Sequence, residues 1–267
     1  MRNNFEFKKS LGQNFLNDKN VIHKIVESAN IDKNTLVIEI GPGGGALTEL
    51  MVPLAGYSLL YEADSRLENH LKDLLKDYKN YSIKIGDFLE TDLKKDLNNF
   101  SYDKVYVVAN LPYYITTPII MKFIEENVYP DQFVIMVQKE VAYRLSASVG
   151  SRDYGSLTVF LNHFYHIKKL FEVSRNCFIP KPNVDSAIVS MDLKKNRLTV
   201  LNMHIFQKLV RDSFLYKRKT IRNNLNGYNL EKIEEVLRKY GFDLSVRAEA
   251  LSLEIFVEMA NELSKDN

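Results

Sequence analysis

The sequence predicts an α/β fold, a parallel sheet flanked by helices, followed by a small all-helical domain. Short β-rich apolar runs alternate with amphipathic stretches up to about residue 195, the pattern of strands joined by crossover helices. A glycine-rich turn follows the first of these runs. Beyond Lys194-Lys195-Asn196 only helical spacing remains. The domains are therefore read as 1–195 and 196–267, and 267 residues can bury a sizeable core without disulfides or metals.

In chain order, residues 37–40, 58–61, 81–85, 104–108 and 133–137 read as buried strands. Between them lie amphipathic segments such as 66–78, with Leu67, Leu71, Leu74 and Leu75 on one face. Residues 158–161 and 187–191 look like two further strands with no helical pattern between them, so an antiparallel edge hairpin is expected. In the last domain, Phe206, Leu209, Val210 and Phe214 recur at helical spacing. So do Leu230, Ile233, Val236 and Leu237, and then Leu253, Phe256, Val257 and Ala260. Asn226-Gly227 and Gly241 supply the turns between them.

The single cysteine, Cys177, has no intrachain partner and suits a reducing cytosol. No signal-like apolar run opens the chain, and no stretch of about 18 apolar residues exists, so a cytoplasmic protein without a membrane span is expected. His163 and His166 lie three apart without a cysteine or carboxylate beside them, and no metal is expected. Net charge is only +2. Its distribution is more telling: from residue 208 to 222, Lys208, Arg211, Lys217, Arg218, Lys219 and Arg222 face one acid, Asp212. That cluster is either a solvated helix face or a phosphate-binding surface.

The run 37–40 leads into Gly41-Pro42-Gly43-Gly44-Gly45-Ala46. Glycines at a strand-to-helix turn let a ligand approach the backbone. The spacing Gly41-x-Gly43-x-x-Ala46 fits a nicotinamide dinucleotide as well as S-adenosylmethionine. Glu62 ends the second strand about 20 residues later, where a carboxylate can accept from both ribose hydroxyls. Asp87 follows the third strand and can accept from an adenine amine. Two acids at successive strand ends, with no second glycine-rich loop, favour an adenosyl ligand.

The fourth strand ends in Asn110-Leu111-Pro112-Tyr113-Tyr114. An exocyclic adenine amine is a poor nucleophile because its lone pair is delocalised into the ring. Acceptors that hold its N–H groups out of plane localise that pair. The Asn110 side-chain oxygen supplies one acceptor and the Leu111 carbonyl, directed by Pro112, supplies another. Tyr113 can stack on the base.

This turn resembles the Asn/Asp-Pro-Pro-Tyr class of amino methyltransferases, in the Asn-Leu-Pro-Tyr form of the rRNA adenine N6,N6-dimethyltransferases. The blocks Lys9-Ser10-Leu11-Gly12-Gln13-Asn14-Phe15-Leu16, Val137-Gln138-Lys139-Glu140, Asp153-Tyr154-Gly155-Ser156-Leu157, Phe178-Ile179-Pro180-Lys181-Pro182-Asn183-Val184-Asp185-Ser186, Arg218-Lys219-Thr220-Ile221-Arg222-Asn223-Asn224-Leu225 and Arg247-Ala248-Glu249 extend the likeness over nearly the whole chain. They are more similar to the bacterial small-subunit branch, the kasugamycin-sensitivity methylases, than to the large-subunit resistance methylases. One departure stands out: Tyr114 occupies a position where many members have Asn.

The resemblance implies a Rossmann-like S-adenosylmethionine-dependent methyltransferase domain with a C-terminal helical RNA-binding domain. It implies dimethylation of two adjacent adenosines near the 3′ end of 16S rRNA during small-subunit biogenesis, by a monomer acting on the small ribosomal subunit precursor. It also implies S-adenosylmethionine contacts at Asn14, Leu16, Gly41, Glu62, Asp87 and Asn110, with Gly43 in the same turn. Phe178, in isolation a core aromatic, becomes in this family a second stacking wall opposite Tyr113. The 208–222 cluster becomes an RNA contact.

Overall fold

A computed structural model describes residues 14–266; the Lys9–Gln13 part of the N-terminal motif lies outside the described residues. The chain forms two compact units. One comprises the described residues up to Ala142 with Lys168–Leu193, and the other Tyr143–Ile167 with the described residues from Lys194 onward.

The first unit is built on a seven-stranded sheet. Its strands are β2 (Thr35–Ile40), β3 (Tyr57–Glu62), β4 (Tyr81–Ile85), β5 (Lys104–Asn110), β6 (Gln132–Gln138), β7 (Tyr165–Val173) and β9 (Ser186–Leu193), in the order β4-β3-β2-β5-β6-β9-β7. A separate two-stranded ribbon pairs β1 (Phe15–Leu16) with β8 (Phe178–Ile179). The strands β4, β3, β2, β5 and β6 are parallel neighbours, and β9 runs antiparallel to β6. All six residues of β2 are buried, as expected of a central strand covered on both faces. Every strand expected before residue 140 forms where the apolar runs placed it.

The order has a consequence for function. From β2 the chain builds outward to β3 and β4, then returns to the other side of β2 for β5. Such a reversal opens a crevice at the carboxyl ends of the strands. One face of the sheet is sealed by the helix Lys19–Ser28, whose Ile22, Ile25 and Val26 pack with Val37, Val108, Val134 and Phe178 in one core cluster. Asp18 caps that helix by accepting from the N–H groups of Asn20 and Val21 at 3.0 and 3.1 Å.

Residues 158–161, expected as a strand, lie in the helix Ser156–Phe164. A four-residue apolar run cannot separate buried strand from buried helix by period alone. Here it continues a turn whose Thr158 hydroxyl donates to the Arg144 carbonyl at 2.6 Å. The strand beside β9 is instead β7, the next segment, where exposed and more protected residues alternate along His166-Ile167-Lys168-Lys169-Leu170-Phe171. Two lysines in mid-strand disguised that period, and they also suit a sheet edge.

The helix Ser156–Phe164 belongs to the second unit, with Met203–Ser213, Leu230–Lys239 and Leu253–Leu263. Phe160, Phe164, Phe206, Phe256, Leu209, Ile233, Val236 and Met259 form its interior. The helical repeats after residue 200 fold as their spacing predicts. The grouping differs from a division at residue 195 because 143–167 joins these helices.

His163 lies in that interior, edge-on to Phe164 with ring centroids 4.7 Å apart, its Nδ1 without a hydrogen-bond partner. Burial pushes its pKa down to about 4, helped by the Arg197 and Lys194 charges. A histidine held below its unfolded value binds its proton more readily when the chain unfolds. Its favourable contribution is therefore intact above about pH 6.5 and is lost as the pH falls toward 4. Relative to His163→Leu, the wild type should lose on the order of 2–3 kcal/mol of stability between pH 7 and 4 in denaturant titrations. Parallel pH profiles for the two proteins would contradict a buried, neutral His163.

Candidate active site

The crevice is a cleft of about 350 Å³ at the carboxyl ends of β2, β3, β4 and β5, lined by residues 14–16, the glycine turn, Glu62, Asp87 and the 110–115 turn among others. All of these belong to the first unit. Each strand thus delivers one functional turn to the same place.

The turn after β2 depends on backbone shapes that favour glycine. Gly41 has φ +73° and Gly43 φ +58°. A Cβ on Gly43 would stand 2.6 Å from Cε1 of Phe15, so the missing side chain lets that ring lie against the turn. Nothing lies within 4 Å of a Cβ built on Gly41, which faces open space. The turn is tied on both sides. Gly41 N–H donates to the Tyr61 carbonyl at 2.8 Å. Nε2 of His70 lies 3.2 Å from the Gly44 carbonyl, and since a carbonyl only accepts, that nitrogen carries the proton.

Glu62, at the end of β3, is 4% exposed. One carboxylate oxygen accepts from the Gly43 N–H and the other from the Asp64 N–H, both at 2.8 Å. Burial raises its pKa, and these two backbone donors oppose the rise. Glu62 is therefore a brace for the glycine turn as well as a carboxylate on the cleft wall. Asp87 is exposed after β4, and its Oδ1 accepts from the Leu89 N–H at 2.8 Å, which fixes the carboxylate at the rim.

Asn110 ends β5. Its Nδ2 donates to the Asn14 carbonyl at 3.1 Å. That partner can only accept, so the amide nitrogen must face it and Oδ1 must point elsewhere. Leu111 is buried at 1% exposure and Pro112 follows with φ −58°, so the turn is anchored at its apolar side. The Pro112 carbonyl accepts from Ile115 N–H and from the Thr116 hydroxyl, both at 3.2 Å, starting the helix Thr116–Glu125. The half-buried Tyr113 is held by a 2.6 Å hydrogen bond between its hydroxyl and Ser186 Oγ on β9.

The other expected site residues divide. Leu16 lines the cleft floor while its side chain joins the core. Phe178 does not line the cleft: it is 3% exposed and belongs to the core cluster with Leu16, Ile22 and Ile188, because β8 pairs with β1. In this conformation the exposed aromatic on the cleft wall beside Tyr113 is Tyr114, 60% exposed. In the helical unit the six basic residues are not equivalent. Lys208 donates to Asp212 and to the Tyr228 hydroxyl at 3.0 and 2.9 Å, and Arg211 donates to Asp212 at 3.2 Å. Lys217, Arg218, Lys219 and Arg222 are exposed. Among the described residues, no group of three or more His, Cys, Asp or Glu could hold a metal ion, and no helix is long and apolar enough to cross a membrane.

Sequence reasoning missed Glu39. It is 2% exposed in the middle of β2, lines the cleft and accepts from the Thr48 hydroxyl at 2.6 Å. An acid inside the apolar run Val37-Ile38-Glu39-Ile40 was the available signal, since a strand buried on both faces has no solvated position for it. Burial, reinforced by the Glu62 charge and opposed by Thr48, pushes its pKa up to about 8. A carboxyl raised above its unfolded value contributes fully below about pH 4.5, and that contribution is lost as the pH rises through about 8. The substitution Glu39→Gln would keep an acceptor for Thr48 but remove the ionisable group. The wild-type melting temperature should fall relative to Glu39→Gln from pH 5 to 9, the gap widening with pH; a constant gap would show that Glu39 does not titrate there.

With this geometry in view, comparison with known proteins is specific. The family model for ribosomal RNA adenine dimethylase matches residues 4–265. Ribosomal RNA small subunit methyltransferase A of Streptococcus pneumoniae (strain P1031) is 44% identical over 98% of this chain and 93% of its own length. Its namesake in Streptococcus gordonii is 43% identical over 99% and 94%. Among solved structures, a dimethyladenosine transferase from Plasmodium falciparum superposes with a TM-score of 0.79 at 30% identity, covering 94% of this chain and 98% of that one. The 23S rRNA methyltransferase ErmE superposes with a TM-score of 0.74 at 25% identity, covering 94% and 100%. The sheet order, the cleft turns and these matches agree: the chain has the α/β Rossmann-like methyltransferase fold and belongs to the ribosomal RNA adenine dimethylase family.

Proposed function

We propose that this protein transfers methyl groups from S-adenosylmethionine to the N6 amines of two adjacent adenosines near the 3′ end of 16S rRNA, acting as a monomer in the cytoplasm on a small ribosomal subunit precursor. The observation that carries the chemistry is the orientation of Asn110, whose amide nitrogen is occupied by Asn14. Preference for the small subunit rests on the 43–44% identity of the streptococcal small-subunit enzymes, against 25% for ErmE.

The residues of the cleft fit an adenosyl cofactor. Glu62 and Asp87 offer carboxylates at two successive strand ends for ribose hydroxyls and an adenine amine, and Gly41 leaves the backbone open between them. Asn14, Leu16 and Gly43 complete the wall. When bound, S-adenosylmethionine supplies an electrophilic methyl group on a sulfonium.

What the chain itself does is hold the amine. Asn110 Oδ1 and the Leu111 carbonyl accept from the two N–H groups, drawing the lone pair out of conjugation and onto one side of the base. Tyr113, tethered to Ser186, supports the base face. As positive charge develops on the amine, these fixed dipoles stabilise it without reorganising. No strong general base is needed, because methylation itself acidifies the amine and its proton leaves to solvent. In the helical unit Lys208, Arg211, Lys217, Arg218, Lys219 and Arg222 serve RNA phosphates. Lys208 and Arg211 contribute less, being already paired with Asp212.

Asn110→Ala should lower kcat for methyl transfer by at least about 100-fold, the scale of losing a preorganised hydrogen-bond partner. Affinity of the protein for small-subunit RNA should change little. Unchanged turnover in single-turnover assays would refute the assigned role of Asn110.

A further inference from the structure

The charge cluster of the helical unit has an apolar centre that charge does not explain. Between the helix Met203–Ser213 and the short helix Ile221–Asn224, Leu215 and Tyr216 are 62% and 61% exposed. The next three residues, Lys217, Arg218 and Lys219, are exposed as well. Phe214, one residue before this pair, turns inward and packs against Phe256 and Tyr154, with centroids 5.8 and 6.0 Å apart.

The segment is firmly held. The buried Asn224 side chain donates through Nδ2 to the carbonyls of Ser213 and Tyr216 at 2.7 and 3.3 Å, and its Oδ1 accepts from the Tyr216 N–H at 3.3 Å. One amide thus grips the backbone of Tyr216 on both sides. Lys219 N–H closes the turn onto the Tyr216 carbonyl at 2.8 Å. Ile221 and Arg222 then donate to the Val246 and Leu244 carbonyls at 2.8 and 3.0 Å. An ordered backbone presents a bare aromatic ring beside a row of cations.

That combination suits one chemistry. Duplex RNA offers phosphates but no open base face, and cations alone would serve it. An unpaired nucleotide offers both a phosphate and a π-face, and an aromatic ring with flanking lysines and arginines meets both. We infer that Tyr216 is a stacking platform for an unpaired nucleotide of the RNA substrate, with Lys217, Arg218, Lys219 and Arg222 on the neighbouring phosphates and Asn224 as the residue that positions the ring. This rests on the reading of the protein as an rRNA methyltransferase.

The test uses small ribosomal subunits whose RNA lacks dimethyladenosine, with wild type, Tyr216→Ala, Tyr216→Phe and the triple variant Lys217→Gln/Arg218→Gln/Arg222→Gln. Binding is measured across a potassium chloride series, and methyl transfer at saturation. Tyr216→Ala should weaken binding roughly tenfold, within the range of one base–aromatic stack. Its salt slope should match the wild type, because no phosphate contact is lost. Tyr216→Phe should restore affinity, and the triple variant should flatten the salt slope. Unchanged affinity in Tyr216→Ala beside a flattened slope in the triple variant would overturn the stacking role. An unchanged slope in the triple variant would overturn RNA contact at this surface altogether. Failure of the wild type to methylate the subunits would overturn the parent reading before any variant is compared.

Discussion

The reversal of strand order at β2 is the constraint on which the site depends. Because β3 and β5 lie on opposite sides of β2, the turns leaving the strands diverge and leave a cleft between them. The glycine turn, Glu62, Asp87 and Asn110 are far apart in sequence, yet each lies at or just past the end of a parallel strand. The sheet therefore does the positioning. The local bonds only refine it: Glu62 braces the glycine turn, His70 holds its outer carbonyl, and Asn14 fixes which way the Asn110 amide faces.

Much of this was readable from the sequence, for identifiable reasons. Strands buried on both faces are continuous apolar runs, and the residue that ends such a run sits at the mouth of the cleft. Hence Gly41, Glu62, Asp87 and Asn110 could be placed from pattern alone. The failures occurred where pattern is ambiguous. Residues 158–161 had too few apolar positions to reveal a period, and the lysines of β7 concealed a real one. Phe178, for which the resemblance implies a stacking role, is packed into the core beside the β1–β8 ribbon in this structure, a placement that no period in its short segment shows. Glu39 went unremarked because a motif draws attention to the turn and away from the strand before it. The orientation of Asn110 could not be read at all, since its partner is a backbone carbonyl 96 residues away.

The electrostatics divide along the same lines. Within the first unit the cleft concentrates acids: Glu39 and Glu62 are both buried near the glycine turn, and each is pushed toward its neutral form by burial. Within the helical unit the 208–222 cluster is cationic, and its one acid, Asp212, is spent on Lys208, Arg211 and Tyr228. The acid-lined cleft and the cationic cluster thus lie in separate compact units.

The central claim, small-subunit adenine dimethylation, is tested most directly by mapping N6,N6-dimethyladenosine in both ribosomal RNAs from cells with and without the protein. The account predicts a protein-dependent mark on two adjacent adenosines near the 3′ end of the small-subunit RNA. A protein-dependent mark confined to the large-subunit RNA, or none in either RNA, would contradict it.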